Sequence, residues 1–308
     1  MEQIEYGGWP NCVRLSNDRI ELVATTDVGP RIIRFGFSGG RNLFKEFPET
    51  LGKTGGDAWR LYGGHRLWHA PEVKPRTYCP DNDPVAHRWD GRALRLRQQA
   101  EPTTGIAKEI QISLDAQADH VTVVHRLTNE GPWTVRLAPW ALTVMAAGGR
   151  SIFPQEPYRA HTECLDPARP LVLWHYTDMS DPRWVWGKRY VQLKQDPGRP
   201  APQKAGFANS SGWAAYVLGD DVFLKCFGFD PNAAYPDGGC NTETFTNQDM
   251  LEIESLGPLV ALAPGASVEH TEHWSCFKAR VGEDDDAIDA DLLPLLSRAQ
   301  RHSRAAHS

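Results

Sequence analysis

The sequence lacks the features that mark membrane-spanning and nucleic-acid-binding proteins. It has no run of about 18 consecutive apolar residues, the minimum for a transmembrane helix. Its net charge is −6, so it lacks the basic surface that nucleic acid or an anionic membrane would require. The first ten residues, MEQIEYGGWP, contain no apolar segment, and no signal peptide is expected. The sequence therefore predicts a protein with neither nucleic-acid nor membrane partners.

Cysteine pairs and several common catalytic motifs are also missing. The six cysteines are far apart and form no CxxC pair, which favours free thiols in the reducing cytoplasm over a disulfide framework or a structural zinc site. The sequence contains no P-loop, no GxGxxG after a strand, no GxSxG and no HExxH. Cytoplasmic localisation is expected, and nucleotide-binding and serine-hydrolase signatures are absent.

What the sequence does contain is a succession of short β-strand signals. There are 27 Gly and 23 Pro among 308 residues, so turns are frequent, and 41% of the residues are hydrophobic, enough for a sizeable core. Strands at nearly regular spacing with turn signals between them favour an all-β, mostly antiparallel sandwich or barrel. The predicted strands are 20–26, 31–37, 93–99, 106–114, 120–128, 133–145, 171–176, 190–194, 213–218, 222–229, 251–254, 259–262 and 267–277.

The domain organisation is expected to be simple. No fixed-period repeat or long linker is evident, so residues 1–282 are predicted to form one β domain. Residues 283–308 are predicted to form a C-terminal tail, with a helix over 285–300 and a frayed polar end. The acidic start of this helix suits its N-terminus, and Pro294 is expected to end or kink it.

A dense group of functional side chains follows two glycines in the segment YGGHRLWHAPE, residues 62–72. An imidazole can transfer protons near neutral pH, a guanidinium can bind hydroxyls or carboxylates, and an indole can stack on a sugar. The alternative is a loop whose histidines bond only to the backbone. A metal-binding helix face is disfavoured by the glycines and by Pro71. The candidates in this segment are His65, Arg66, Trp68, His69 and Glu72.

Two acidic residues are expected to share one face of a late strand. In the run LEIE, alternation directs Glu252 and Glu254 to the same side. Neighbouring carboxylates repel, which raises one pKa and makes that group a suitable general base. The alternative is a solvated outer face.

Two further segments are candidates for supporting roles. The polar segment 235–247, predicted as a loop before the two-glutamate strand, offers Asp237 and Asn241 to sugar hydroxyls. The strand 267–274 carries His270 and Glu272, which either support the site, lie at the surface, or bind a metal together with a distant histidine.

On these residues the chain resembles the galactose mutarotase-like, or aldose 1-epimerase-like, superfamily, within a bacterial branch of sugar epimerase-like proteins. The C-terminal run from LEIE through LAPG to HTEHW gives the most specific match, and the similarity extends over nearly the whole chain. The matching segments are 27–33, 40–44, 125–131, 251–254, 262–265 and 270–274.

The resemblance implies a β-supersandwich with a shallow carbohydrate cleft on one sheet. In the family a strand glutamate is the base on the anomeric hydroxyl and a histidine protonates the ring oxygen. Matching the glutamate motif places the base at Glu252, whereas matching the following proline places it at Glu254; Glu252 is preferred. The glycine-linked histidine of the family corresponds to His65.

One position departs from the family pattern. Trp140 stands near the place of a second histidine, so either His65 or His69 supplies the acid or the activity is not simple mutarotation. Sugar-phosphate epimerases share the fold and bind phosphate with basic residues. Here such residues would be Arg31, Arg66, Lys74 and Arg76.

The leading hypothesis is an isomerase that interconverts the anomers of a small carbohydrate, with Glu252 or Glu254 as base and His65 as acid. Arg66, Asp237 and Asn241 would hold hydroxyls, and Trp68 or Trp140 would form the sugar platform. No cofactor and no metal are expected, because glutamate and histidine suffice for proton transfer. The alternatives are a non-catalytic carbohydrate-binding protein and another glutamate-dependent reaction on a sugar. The sequence leaves the oligomeric state open.

Overall fold

Two large antiparallel sheets form the body of the protein in a computed structural model that describes residues 1–305. We call the 11-stranded sheet the front sheet and the 10-stranded sheet the back sheet. In spatial order the front sheet consists of β1 (Glu2–Tyr6), β2 (Trp9–Ser16), β3 (Ile20–Thr25), β4 (Arg31–Phe37), β5 (His65–Ala70), β10 (Val135–Met145), β19 (Leu251–Leu256), β18 (Thr242–Thr246), β15 (Gln203–Phe207) and β12 (Leu171–Leu173), with β20 (Val260–Leu262) paired to β10. The back sheet consists of β13 (Trp184–Trp186), β14 (Tyr190–Lys194), β11 (Arg150–Pro154), β16 (Trp213–Leu218), β17 (Asp221–Phe227), β21 (Ser267–Lys278), β9 (His120–Asn129), β8 (Ile106–Leu114), β7 (Leu94–Arg97) and β6 (Ala86–Trp89).

The main hydrophobic core lies between the two sheets. Phe35 of the front sheet packs edge-on against Phe223 of the back sheet, with ring centroids 5.6 Å apart, and also contacts Trp274 at 5.6 Å. All three side chains are fully buried. Strand alternation therefore gives the front sheet one side that faces this core and a second side that faces away from it.

The C-terminal helix α1 (Asp285–Ala305) packs against the outer side of the back sheet. Ile288, Leu292 and Leu296 join a cluster with Val222 and other residues of that sheet. The helix is longer than the predicted 285–300, and Pro294 lies within it without ending it. No helix among residues 1–305 has the length and hydrophobicity needed to cross a bilayer.

The predicted all-β antiparallel sandwich is confirmed, but three strands that build the site were not predicted. The segment after Gly63 and Gly64 is strand β5, not a loop, and β18 lies inside the segment 235–247 that was predicted as a loop. Strand β15 also falls between two of the predicted strands. Both glycines have positive φ, +93° and +65°. A Cβ on Gly64 would lie 2.3 Å from the carbonyl oxygen of Ile32. Only glycine therefore lets the chain approach β4 this closely as β5 begins.

Candidate functional site

The outward side of the front sheet carries a compact group of charged and aromatic side chains, which we call the acidic face. Five adjacent strands, β5, β10, β19, β18 and β15, contribute to it. The register places Leu142 of β10 opposite both Arg66 and Glu254, and places Glu254 opposite Glu243 of β18. The acidic face is formed by Arg66, Trp68, Trp140, Lys204, Glu243, Glu252 and Glu254.

Ion pairs link the charged groups of the acidic face in two sets. Arg66 Nη2 donates to Glu252 Oε1 over 3.0 Å. Lys204 Nζ lies 2.9 Å from Glu243 Oε2 and 3.5 Å from Glu254 Oε2, so one ammonium serves two carboxyl groups. Glu254 Oε2 also accepts a hydrogen bond from Trp140 Nε1 over 2.8 Å. Glu252 and Glu254 therefore sit in different electrostatic surroundings although they share a face.

Aromatic rings surround these charges. The guanidinium carbon of Arg66 lies 4.5 Å from the ring centre of Trp68, and Lys204 Nζ lies 4.9 Å from that of Trp140 and 4.6 Å from that of Trp174. Such contacts stabilise cations and leave indole surface against which a sugar can pack.

A layer of further aromatic residues covers the acidic face. Tyr78 and Trp59 both pack on Trp68, with centroid distances of 5.1 and 5.7 Å. Arg66 and Glu252 are only 3% and 6% exposed, and Glu254 is fully buried. A ligand can reach the carboxyl groups only if neighbouring side chains move.

Burial and mutual repulsion favour protonation in the lysine-linked set. Burial raises the pKa of Glu243 well above its ordinary value, and the nearby Glu254 adds to the shift. Burial likewise raises the pKa of Glu254, although Lys204 acts in the opposite direction. Burial disfavours the Lys204 ammonium, but the two carboxylates outweigh it and raise the pKa of Lys204. One cation beside two buried carboxyl groups is electrically neutral when one carboxyl keeps its proton.

Several buried polar atoms of the acidic face have no hydrogen-bond partner. These are Nε and Nη1 of Arg66, Oε1 of Glu243, and Oε1 of Glu254. Glu243 Oε2 does form an ion pair with Lys204, so Oε1 is the oxygen of this carboxyl group that is left without a partner. Buried polar atoms are normally paired, and leaving one unpaired costs about 1–3 kcal/mol. A ligand with several hydroxyl groups would satisfy both the donors and the acceptors.

His65 does not lie on the acidic face, which corrects the expected pairing of this histidine with Glu252 or Glu254. His65 is opposite Thr143, which is in turn opposite Ile253, and these three residues point into the core. His65 Nδ1 is 2.9 Å from Thr143 Oγ1, and its ring is 4.7 Å from that of Trp274. The next residue, Arg66, points the other way because successive side chains of a strand alternate.

Two other predicted binding residues are engaged elsewhere, and a third, Glu72, lies beside the aromatic cover of the acidic face. His69 follows the alternation of His65 and bonds to the buried Glu101 over 3.2 Å. Both polar groups of the Asn241 side chain bond to the backbone of Asn209. Glu72 is exposed and accepts a hydrogen bond from Tyr78 in the aromatic cover.

Asp237 lies close enough to Glu243 to raise the pKa of that glutamate, so its loop borders the acidic face. Its φ of +49° is unusual for a residue other than glycine.

Two central residues of the acidic face, Lys204 and Glu243, were not predicted from the sequence. Glu243 belongs to TETFT, an alternating run with β-branched residues that is a strand signal. That signal would have placed Glu243 on a strand beside Glu254. Lys204 lies in QKAGF, whose glycine weakens the strand pattern. Gly206 is required there because a Cβ would come within 2.5 Å of Cys240 Sγ.

Comparison with solved structures shows that the chain has the galactose mutarotase-like fold. It is similar to a provisionally named aldose 1-epimerase from Klebsiella pneumoniae, with a TM-score of 0.59 and 12% identity over 93% of this chain and 84% of that one. It is similar to a galactose mutarotase-like protein from Lactobacillus casei, with a TM-score of 0.56 and 11% identity over 87% of this chain and 100% of that one. It is also similar to the Slr1438 protein from Synechocystis sp. PCC 6803, with a TM-score of 0.58 and 12% identity over 91% of this chain and 100% of that one. No family model and no curated protein sequence matches the chain.

Proposed function

We propose that this protein is an aldose 1-epimerase-like isomerase whose acid and base are both glutamates of the acidic face. The observation that carries the proposal is the group of unpaired buried donors and acceptors on Arg66, Glu243 and Glu254, bordered by tryptophan rings. A pyranose offers hydroxyl groups to these atoms and an apolar ring face to the indoles. The named aldose 1-epimerase and mutarotase-like neighbours support a carbohydrate substrate.

In this proposal Glu254 is the general base and Glu243 the general acid. Trp140 and Lys204 both favour the ionised form of Glu254, whereas Glu243 has the stronger tendency to keep its proton. Pairs of carboxyl groups whose surroundings separate their pKa values provide an acid and a base at one pH. Glu252 is bound by Arg66, and we assign it to positioning this guanidinium.

The reaction then follows with balanced proton transfers. Glu254 accepts the proton of the anomeric hydroxyl as the bond from C1 to the ring oxygen breaks. Glu243 gives its proton to that ring oxygen, which produces the open-chain aldehyde. Rotation about the C1–C2 bond exposes the other face of the aldehyde, and reversal of the transfers closes the other anomer. Lys204 remains charged and stabilises the carboxylate that each transfer creates.

The test is exchange between α and β anomers, followed by NMR or polarimetry on a panel of aldoses. Replacing a general base with its amide removes proton acceptance while conserving shape, so Glu254→Gln should slow catalysed exchange at least ~100-fold. Glu252→Gln should weaken binding more than it slows turnover. Glu269→Gln, an exposed glutamate on β21, is the matched control and should leave the rate unchanged.

Two results would contradict the assignment. An unchanged rate in a folded Glu254→Gln protein would exclude this residue as the base. Sugar binding by the wild type without faster exchange would instead select a non-catalytic carbohydrate-binding protein on the same fold.

A further inference from the structure

A second polar cluster lies in the core between the sheets, on the opposite side of the front sheet from the acidic face. It contains His65 of β5, His125 of β9 and Glu272 of β21, and all three side chains are fully buried. One potential ligand atom from each residue lies within 4.8 Å of the other two. Placing two imidazoles and a carboxylate in an apolar core is costly unless they are paired with one another or with an ion.

Each of these three side chains is oriented by another group. His125 Nδ1 donates to the carbonyl oxygen of His270 over 2.9 Å, which directs its Nε2 lone pair toward His65. Thr143 holds His65 Nδ1 over 2.9 Å. The indole N–H of Trp274 donates to Glu272 Oε2 over 2.8 Å. Metal-binding histidines and carboxylates are characteristically held by outer hydrogen bonds of this kind.

The two imidazoles face each other through nitrogen atoms that are 2.6 Å apart. Two lone pairs at this distance repel, so a proton or a metal ion must lie between His65 Nε2 and His125 Nε2. Glu272 Oε2 is 4.0 Å from His65 Nε2 and faces the same space without a hydrogen bond to either imidazole. Two imidazole nitrogens and one carboxylate oxygen are a ligand set that suits zinc.

We propose that His65, His125 and Glu272 bind a divalent transition-metal ion, zinc by the nature of the ligands, inside the sandwich. Zinc bonds of about 2.0–2.2 Å require the two imidazoles to separate by less than about 1 Å from their present contact, and require Glu272 Oε2, now 4.0 Å from His65 Nε2, to move toward them. The three ligands leave a coordination position open. His270 is the nearest further imidazole, with its ring centre 5.9 Å from that of His125, but its Nε2 is engaged by Ser255.

The charges around the cluster are compatible with a metal ion in place of the proton shared by the two imidazoles. Lys225 Nζ lies 2.8 Å from Glu272 Oε1, so without an ion the ammonium balances the carboxylate. Binding of the ion displaces the proton shared by the imidazoles, and release of protons from the ligands is the usual accompaniment of metal binding.

The ion would join the two sheets. His65 belongs to the front sheet, whereas His125 and Glu272 belong to the back sheet. Because the ligands are inaccessible to solvent in the folded protein, the ion is bound during folding and contributes to stability, not to sugar chemistry. This inference is independent of the proposed isomerase activity.

The experiment begins with the full-length protein, purified without a histidine tag or a metal column, and its metal content measured by plasma mass spectrometry. We expect one zinc ion per chain that resists dialysis against EDTA. Unfolding in denaturant with EDTA, followed by refolding with or without zinc chloride, should give a higher Tm with zinc. Refolding with cobalt chloride should give the visible absorption of histidine-bound Co²⁺.

His125→Gln and Glu272→Gln should reduce bound zinc at least about 10-fold. His120→Gln is the matched control, because His120 is also a buried histidine of β9 but lies outside the cluster, and it should retain zinc. Substoichiometric zinc in wild-type protein refolded with zinc chloride, together with an unchanged Tm, would overturn the proposal. Zinc that persists undiminished in His125→Gln would overturn it as well. The zinc content and the Tm of the refolded wild-type protein decide the question even if a ligand variant does not fold.

Discussion

Glu243 has surroundings that differ from those of the other glutamates of the acidic face. Its carboxyl group is fully buried beside Lys204, directly across the β18–β19 pair from Glu254. Two carboxylates at this separation from one ammonium cannot both ionise cheaply without solvent. In the proposed mechanism, this retained proton gives Glu243 the role that a histidine was expected to fill.

The pH dependence of anomer exchange tests this role. Because burial raises the pKa of Glu243 well above its ordinary value, its acid form persists to higher pH than that of an exposed glutamate, and the wild-type rate should fall as rising pH removes that proton. Glu243→Gln should lower the rate about 100-fold or more and should abolish this alkaline decline. The measurement is exchange NMR over a series of neutral to alkaline buffers.

Glu252→Gln serves as the comparison. Because Glu252 is bound to Arg66 and is not the proposed acid, this variant should keep the decline in rate at alkaline pH. If Glu243→Gln showed the same alkaline decline as the wild type, the titrating acid would be another group.

Strand β5 shows why one element can determine a site. It begins directly after Gly63 and Gly64, and both glycines approach neighbouring backbone too closely for a side chain. The two glycines thus fix where β5 starts and consequently which of its residues face the core.

Gly64→Ala should therefore destabilise the protein by more than the ~1 kcal/mol that a glycine replacement costs on average. The added Cβ would meet Ile32 O at 2.3 Å, in a backbone conformation with φ of +65° that L-residues rarely adopt. The measurement is the free energy of unfolding in urea.

Gly39→Ala is the matched control because Gly39 has a similar φ, +69°, but nothing within 4 Å of an added Cβ. Equal losses in the two variants would show that backbone conformation, and not the close approach, carries the effect.

Sequence patterns predicted the fold class and the shared face of Glu252 and Glu254, because strand signals and the alternation of side chains along a strand are both visible in short stretches of sequence. They did not predict the orientation of β5. In HRLWHA the set containing His65 and His69 is no more apolar than the set containing Arg66, so hydrophobic alternation does not identify the core side. The position of Lys204 next to Glu243 depends on pairing between β15 and β18, which are more than 30 residues apart in sequence.

For the molecule as a whole, buried neutral histidines make stability depend on pH. Burial, helped by His273 and His302, lowers the pKa of His120 from 6.5 to about 4, while Asp115 acts in the opposite direction. Its Nδ1 also lies 3.4 Å from the hydroxyl of Ser275. The folded protein consequently resists a proton that the unfolded chain accepts.

The direction of this pH dependence follows from the linkage between proton binding and folding. Because the folded pKa lies below the unfolded value, the contribution of His120 is complete above pH 6.5 and is lost as the pH falls toward 4. At 1.36 kcal/mol per pKa unit, the loss in the free energy of unfolding is at most about 3.4 kcal/mol. Urea unfolding at successive pH values should show this decrease.

His120→Gln should have a shallower decrease in unfolding free energy over this pH range than the wild type. Parallel curves for the two proteins would assign the pH dependence to other groups. Glu269→Gln, at an exposed position, should follow the wild-type curve.

The alternation of β5 has a further consequence for evolution of the chain. The neighbouring residues His65 and Arg66 lie in two separate environments, the core between the sheets and the acidic face, with only the thickness of one backbone between them. An insertion or deletion of a single residue directly after Gly64 would exchange the two sides of the strand, placing the imidazole on the acidic face and the guanidinium in the core. A change of length in this short stretch should therefore disrupt the acidic face and the histidine cluster together, whereas a change of length in distant turns should leave both in place.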